Sequence, residues 1–150
     1  MESGKEIDKD FFKKAIEFVR SYADKFHHAK EEDILFVELS KDGVQMHCDP
    51  TPQMLHEHEL GRNFIGELEA GIGKNDQNKV IESARGYANL LKDHIFKEDN
   101  ILYPMADEAL NQETQKMIVD KFKKVEQNFV EANKKYTSFL EEIAKRNINT

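Results

Sequence analysis

The sequence predicts an all-α protein, an up-down antiparallel bundle of four helices. Three observations carry this. Only 3 Pro and 7 Gly occur in 150 residues and they cluster between long segments. Within those segments apolar side chains recur at the three- and four-residue steps of a helix face. Runs of alternating β-branched residues, the mark of half-buried strands, are missing.

Each helix follows from local signals. Asp8 is a plausible N-cap for the first, which is expected to run to about Ser40 with Gly43 beyond its end; Phe12, Ile16, Val19, Ala23, His27, Ile34 and Leu35 form its inward face. A loop follows from about Lys41 to Pro50. Thr51 then Pro52 reads as a cap followed by a first-turn proline, opening a helix with a Leu55, His58, Ile65, Leu68, Ile72 seam that stops near Gly71-Ile72-Gly73. The third helix starts near Asp76 and carries Val80, Tyr87, Leu91, His94, Glu98, Ile101 and Met105 inward. Pro104 falls inside that pattern, so a kink there or an end nearby is expected. The fourth is expected as one helix from about Asn111 to Arg146, facing inward with Ile118, Phe122, Val125, Phe129, Ala132, Tyr136, Phe139 and Ile143. Short connections between long amphipathic helices favour antiparallel neighbours.

Composition narrows the function classes. With 29 acidic against 22 basic side chains the formal charge is −7, and the pI is near 5.4. A non-specific nucleic-acid surface is therefore not expected, because phosphate binding needs clustered Lys and Arg that displace counterions. No apolar run approaches a membrane span, and Met1 to Asp10 has no signal-peptide core, so a cytoplasmic location is the expectation. The lone Cys48 excludes an internal disulfide and any multi-cysteine metal site. The length suits a single domain over residues 1–150.

One internal repeat matters more than any other feature. His27-His28-Ala29-Lys30-Glu31-Glu32-Asp33-Ile34-Leu35-Phe36 and His94-Ile95-Phe96-Lys97-Glu98-Asp99-Asn100-Ile101-Leu102-Tyr103 share an order, with an offset of 67 residues. Aligning the Ile-Leu-aromatic ends pairs His27 with His94 and Glu31 with Glu98, so the register favours His27 over His28 as the functional histidine. A His and a Glu four apart on a helix lie one above the other, about 5–6 Å between Cβ atoms, and can reach one ion. Nitrogen with carboxylate oxygen suits iron, manganese or zinc better than calcium. An isolated pair of this kind is usually just a helix-stabilising contact. Two copies in register, on inward faces, are another matter, since burying the carboxylates without a cation costs several kcal/mol per uncompensated charge.

His58 shares this direction through its own seam on the second helix, and His27, Glu31, His58, His94 and Glu98 are the candidate metal ligands. His56, about 200° around that helix, reads as surface. His47, beside Cys48, reads as a loop residue and His28 as a partner of Glu32 on the exposed shoulder of the first helix, with metal ligation the lesser alternative for each. Two metal chemistries are set aside: repeated Glu-x-x-His is absent because Leu91 stands three before His94, and His56-Glu57-His58 is not His-Glu-x-x-His.

The two repeat blocks and Glu57-His58-Glu59-Leu60-Gly61-Arg62 resemble, in order and spacing, the motifs of the hemerythrin-like, HHE cation-binding family; Val125-Glu126 to Phe139-Leu140 is similar to the tail of many members. The resemblance implies a hemerythrin-like bundle around a non-haem di-iron centre, with an open position for dioxygen or another small diatomic. Carried over, His27, His58 and His94 would be terminal ligands and Glu31 and Glu98 the bridges. The family usually has an earlier helix bearing a Glu-His pair, whereas here no His precedes His27, and the family's Leu-Phe-Pro is Leu35-Phe36-Val37. One metal would then be short of ligands, giving an open di-metal site, a single metal, or completion by a partner chain. The fourth helix is expected to fill the vacant place, with Glu126 and Glu131 facing outward; otherwise an exposed seam would promote a homodimer that completes the bundle.

The leading functional expectation is a non-haem iron protein that binds or senses dioxygen, nitric oxide or iron, in a pocket lined by Met54, Phe26, Leu91 and Ile101. A binding protein fits these residues better than an enzyme. The alternatives are a di-iron oxidase or a peroxide or nitric-oxide stress enzyme on the same centre, and a metal-poor helical interaction module.

Overall fold

The structure, a computed structural model, describes residues 5–148, and among them every regular element is helical. The first long helix comprises α1 (Lys9–Phe18), π-helical segments Val19–His28 and Glu31–Leu35, and α2 (Phe36–Leu39). Helix α3 (Thr51–Lys74) is the second. The third joins α4 (Gln77–Lys97), a π-helical turn Glu98–Leu102 and α5 (Tyr103–Ala109). Helices α6 (Gln112–Gln127) and α7 (Val130–Ile148) complete the bundle.

Side-chain caps set several of the helix starts. The Asp8, Asp76 and Asn111 side chains accept from Phe11, Lys79 and Thr114 N–H respectively. The second helix corrects the expected cap: Thr51 is already helical, and Asp49 accepts its N–H at 3.0 Å. A carboxylate two residues back can reach the first-turn N–H that a Thr hydroxyl within the turn cannot. Left-handed Asn75 (φ 55°) closes α3. Pro104 does not stop the third helix, which continues to Ala109; the π-wound turn lies immediately before it.

Two apolar clusters reveal the antiparallel arrangement. One joins Ile34, Leu35, Phe36 and Leu39 to Met54, Leu102, Ala106, Leu110 and Ile118, so the late part of the first helix meets the early part of the second. The other joins Ile7 and Ile16 to Ile65, Leu68, Ile72 and Val80 at the opposite end. The expected single fourth helix is broken at Asn128–Phe129, where backbone bonds tighten to i→i−3. The two pieces pack along the first helix: Ile118 enters the first cluster, Phe129 meets the Phe26 ring at 4.7 Å, and Tyr136 and Phe139 meet Phe18.

Two expected core positions are displaced. Leu55 is exposed and Met54 takes its place, packing against Leu35 and Leu102 in the first cluster. Ile101 is 39% exposed, while Leu102 beside it is wholly buried. The π winding of Glu98–Leu102 accounts for this: its bonds run i→i+5, so the residue under Glu98 on the inner face comes one later than an α-helix would place it. Ile101 is consequently not a pocket-lining residue. Leu102→Ala is expected to cost about 2–5 kcal/mol in denaturant unfolding, and Ile101→Ala under about 1 kcal/mol; the reverse order would refute the π register.

Candidate metal centre

Between the two apolar clusters lies a polar layer. The local winding that creates it is the sequence repeat made physical: Glu31–Leu35 and Glu98–Leu102 are both π-wound, at the same 67-residue offset, and each begins with one of the predicted carboxylates. The third π segment ends in His27-His28. π turns widen the helix and re-aim side chains, and they concentrate at functional sites.

All five predicted ligands come together, four of them within a tight knot. Single ligand atoms of Glu31, His58, His94 and Glu98 lie within 4.8 Å of one another, and all four residues are buried. His58 Nε2 is 3.2 Å from His94 Nε2 and 3.1 Å from Glu31 Oε2; His94 Nε2 is 3.0 Å from Glu98 Oε1. His27 stands at the edge, its side chain 39% exposed, with Nε2 3.4 Å from Glu98 Oε1 and 3.7 Å from Glu31 Oε1. As expected, His56 and His47 are exposed, and Glu126 faces outward in an ion pair with Lys30.

His28 is the main correction. It is buried rather than on an exposed shoulder, and its Nδ1 lies 3.4 Å from Asp24, not beside Glu32. Its ring stacks on His58 at 3.9 Å with 14° between planes. One nitrogen of His28 falls within 4.8 Å of His58 and His94 ligand atoms. An imidazole lone pair, however, lies in the ring plane, and near-parallel stacked rings cannot aim theirs at one ion between the planes. Burial first, then the neighbouring His58, His27 and His94 imidazoles, push its pKa down to about 4, so it stays neutral.

The donors are held from outside by residues that sequence reading passed over. Glu32 faces His58 Nδ1 at 2.8 Å, Asp24 faces His28 Nδ1, and Glu57 Oε2 lies 3.9 Å from His94 Nδ1. Arg62 grips Asp24 (2.9 and 3.1 Å) and Glu32 (3.0 Å) at once, and Lys97 donates to Glu57 at 2.7 Å. The Tyr103 hydroxyl donates to Glu31 Oε1 at 2.7 Å. Signals for some of these existed: Asp24 precedes His28 by four, Glu57 abuts His58, and Tyr103 stands where the first repeat block has Phe36.

The electrostatics suit a cation. Burial opposes ionisation of Glu98, yet the His27 and His94 rings against it hold its carboxyl well below the usual carboxylate range. The contact with Glu98 raises the His27 pKa against the opposing effect of burial. For His58 burial is likewise opposed, and outweighed, by Glu31 and Glu32. Burial and the Glu31 charge push the Tyr103 phenol up. Glu31 Oε2, Glu57 Oε2 and His94 Nδ1 are buried without a hydrogen-bond partner. A buried Glu31 oxygen 3.1 Å from the His58 Nε2, in a group whose His94 and Glu98 ligand atoms lie within 4.8 Å, is what a bound metal ion would satisfy, so the donor set fits a metal. A cavity of about 280 Å³, lined in part by Val19, Ile65, Gly61 and Tyr87, reaches His28 and His58.

The sequence model of the hemerythrin HHE cation binding domain matches residues 1–106, which hold every residue of this layer. No curated protein and no solved structure matches the chain. No helix among the described residues is long and apolar enough to cross a membrane.

Tyr103→Phe removes the hydroxyl that donates to Glu31 while keeping the ring. In metal-free protein this is expected to lower unfolding free energy by about 1.5–3 kcal/mol, the range for a hydrogen bond to a charged group. An unchanged denaturation midpoint would show that the bond carries no net stability.

Proposed function

The chain belongs to the hemerythrin HHE cation-binding domain family, and from that premise we propose that it is a non-haem iron protein whose His/Glu layer binds a small diatomic such as dioxygen or nitric oxide. The observation that carries this reading is the placement of the two carboxylates. Glu31 turns Oε2 toward His58 and Oε1 toward His27, and Glu98 Oε1 lies between His94 and His27. Two carboxylates with histidines on either side would suit a pair of ions.

The two sides are unequal. His58 and His94 serve one, whereas His27 alone serves the other, beside Tyr103. This supports one well-furnished position and one open position, and the exposed edge at His27 is where an exogenous ligand, or a residue of a second copy of the chain, would be admitted. When bound, reduced iron supplies an electron-rich centre with a vacant coordination place. The protein's part is to hold the donors, to keep water scarce with the apolar clusters above and below, and to place the Tyr103 O–H against Glu31. Affinity order alone favours zinc over iron, so manganese and zinc are the competing occupants and supply decides.

A second reading, turnover as an oxidase or peroxide-consuming enzyme, draws on the cavity, which is roomier than a diatomic needs. Steady oxygen consumption with a reductant would favour it; a visible spectrum that cycles reversibly with oxygen favours binding. A metal-poor interaction module would do neither.

Anaerobically purified protein from iron-supplemented cells is expected to contain between about one and two irons per chain by mass spectrometry. His94→Ala and Glu98→Ala are expected to abolish loading, and His56→Ala to leave it intact. Full loading of His94→Ala would overturn the ligand assignment.

A further inference from the structure

We propose that His28 and Arg62 are positioning residues for His58: His28 is a flat plate that fixes the plane of the His58 ring, and Arg62 locks plate and ring together through Asp24 and Glu32. The inference rests on the reading of the layer as a cation site, and adds to it residues that bind no metal themselves.

The geometry forms a closed loop of contacts. Arg62 projects from α3 one helical turn beyond His58, and its Nε donates to both oxygens of Asp24 while a terminal nitrogen donates to Glu32 Oε1. Glu32 Oε1 accepts in turn from His58 Nδ1 at 2.8 Å, leaving Nε2 as the nitrogen that faces Glu31 and His94. Asp24 stands by His28 Nδ1 at 3.4 Å, and the His28 ring covers the His58 face at 3.9 Å. Phe36 also lies nearly parallel to His58, with ring centroids 6.1 Å apart and planes at 21°. The His58 ring is therefore covered on one face by His28 and pinned at its outer nitrogen. Outer partners that fix the tautomer and orientation of a ligating histidine commonly change metal affinity 10–100-fold when removed.

A guanidinium is suited to this task because its rigid fork can satisfy two carboxylates at once, where an ammonium presents a point charge. Arg62 also neutralises the two carboxylates, Asp24 and Glu32, that sit on the same side of the bundle. The stacked geometry distinguishes a plate from a ligand: a plate needs a flat ring, a ligand needs a nitrogen.

The test uses the whole chain in two forms. In metal-free, nitrogen-labelled protein, the His58 Nδ1 proton is expected as a slowly exchanging imidazole resonance. Arg62→Gln and His28→Ala are expected to lose it to fast exchange, while Arg62→Lys recovers part of the protection and His28→Phe retains it. In titrations with cobalt(II), read by its visible bands, Arg62→Gln is expected to weaken binding about 10–100-fold, and His28→Phe by less than about threefold because the flat face survives. Loss of cobalt binding in His28→Phe equal to that in His58→Ala would make His28 a ligand and overturn the plate. Unchanged proton exchange in Arg62→Gln would overturn the lock. If the wild-type protein takes up no cobalt, zinc or iron, the cation reading fails, and the proton-exchange measurement still decides the positioning of His58.

Discussion

Ionisable side chains placed inside an apolar bundle must be compensated locally, because water is not there to do it. Two carboxylates and three imidazoles occupy one buried layer of this protein, and the rest of the structure is arranged around that constraint. Apolar clusters close the layer from both ends. Tyr103 serves one carboxylate from within. Around the rim, Asp24, Glu32 and Glu57 face the outer nitrogens of the histidines, and Arg62 and Lys97 neutralise them from the surface. Charge alternates outward from inner carboxylate to histidine to outer carboxylate to cation.

The fourth helix matters through packing rather than chemistry. Broken at Asn128–Phe129, it lays Phe129, Tyr136 and Phe139 against the aromatic face of the first helix formed by Phe11, Phe18, Tyr22 and Phe26. Its charged residues pair across that seam, as Lys30 with Glu126 and Arg146 with Asp8. Such exposed pairs add little stability individually. They fix the register of the seam, and with it the support behind the His27-His28 segment.

Much of this was legible in the sequence because it depended on period and on short-range chemistry. The caps at Asp8, Asp76 and Asn111 needed only a polar residue before an amphipathic run, and the convergence of His58 with the two His/Glu pairs needed only faces and register. What escaped had a common cause. A residue repeat read with α-helical steps puts Ile101 inward and His28 outward, and the π winding alters both. Winding is set by how the helix meets its neighbours, which a single helix's pattern does not encode. Arg62 escaped for another reason: an arginine on a helix surface looks the same whether it faces solvent alone or grips carboxylates from the adjacent helix.

The matched π turns at Glu31–Leu35 and Glu98–Leu102 also define where the chain can tolerate change in length. The first and third helices run in the same direction, so their two turns sit at one height and jointly make the layer. Residues gained around Asn75 alter only the α3–α4 turn, which lengthens at small entropic cost, whereas the Lys41–Pro50 connection is held by Val44 and Met46 against the first apolar cluster. A single insertion or deletion between His27 and Leu35, or between His94 and Leu102, rotates everything beyond it by about 100° and separates the carboxylates from one another. A variant of this chain that is to keep the layer can therefore change in the α3–α4 turn, whereas the spacing within each repeat block has to stay as it is.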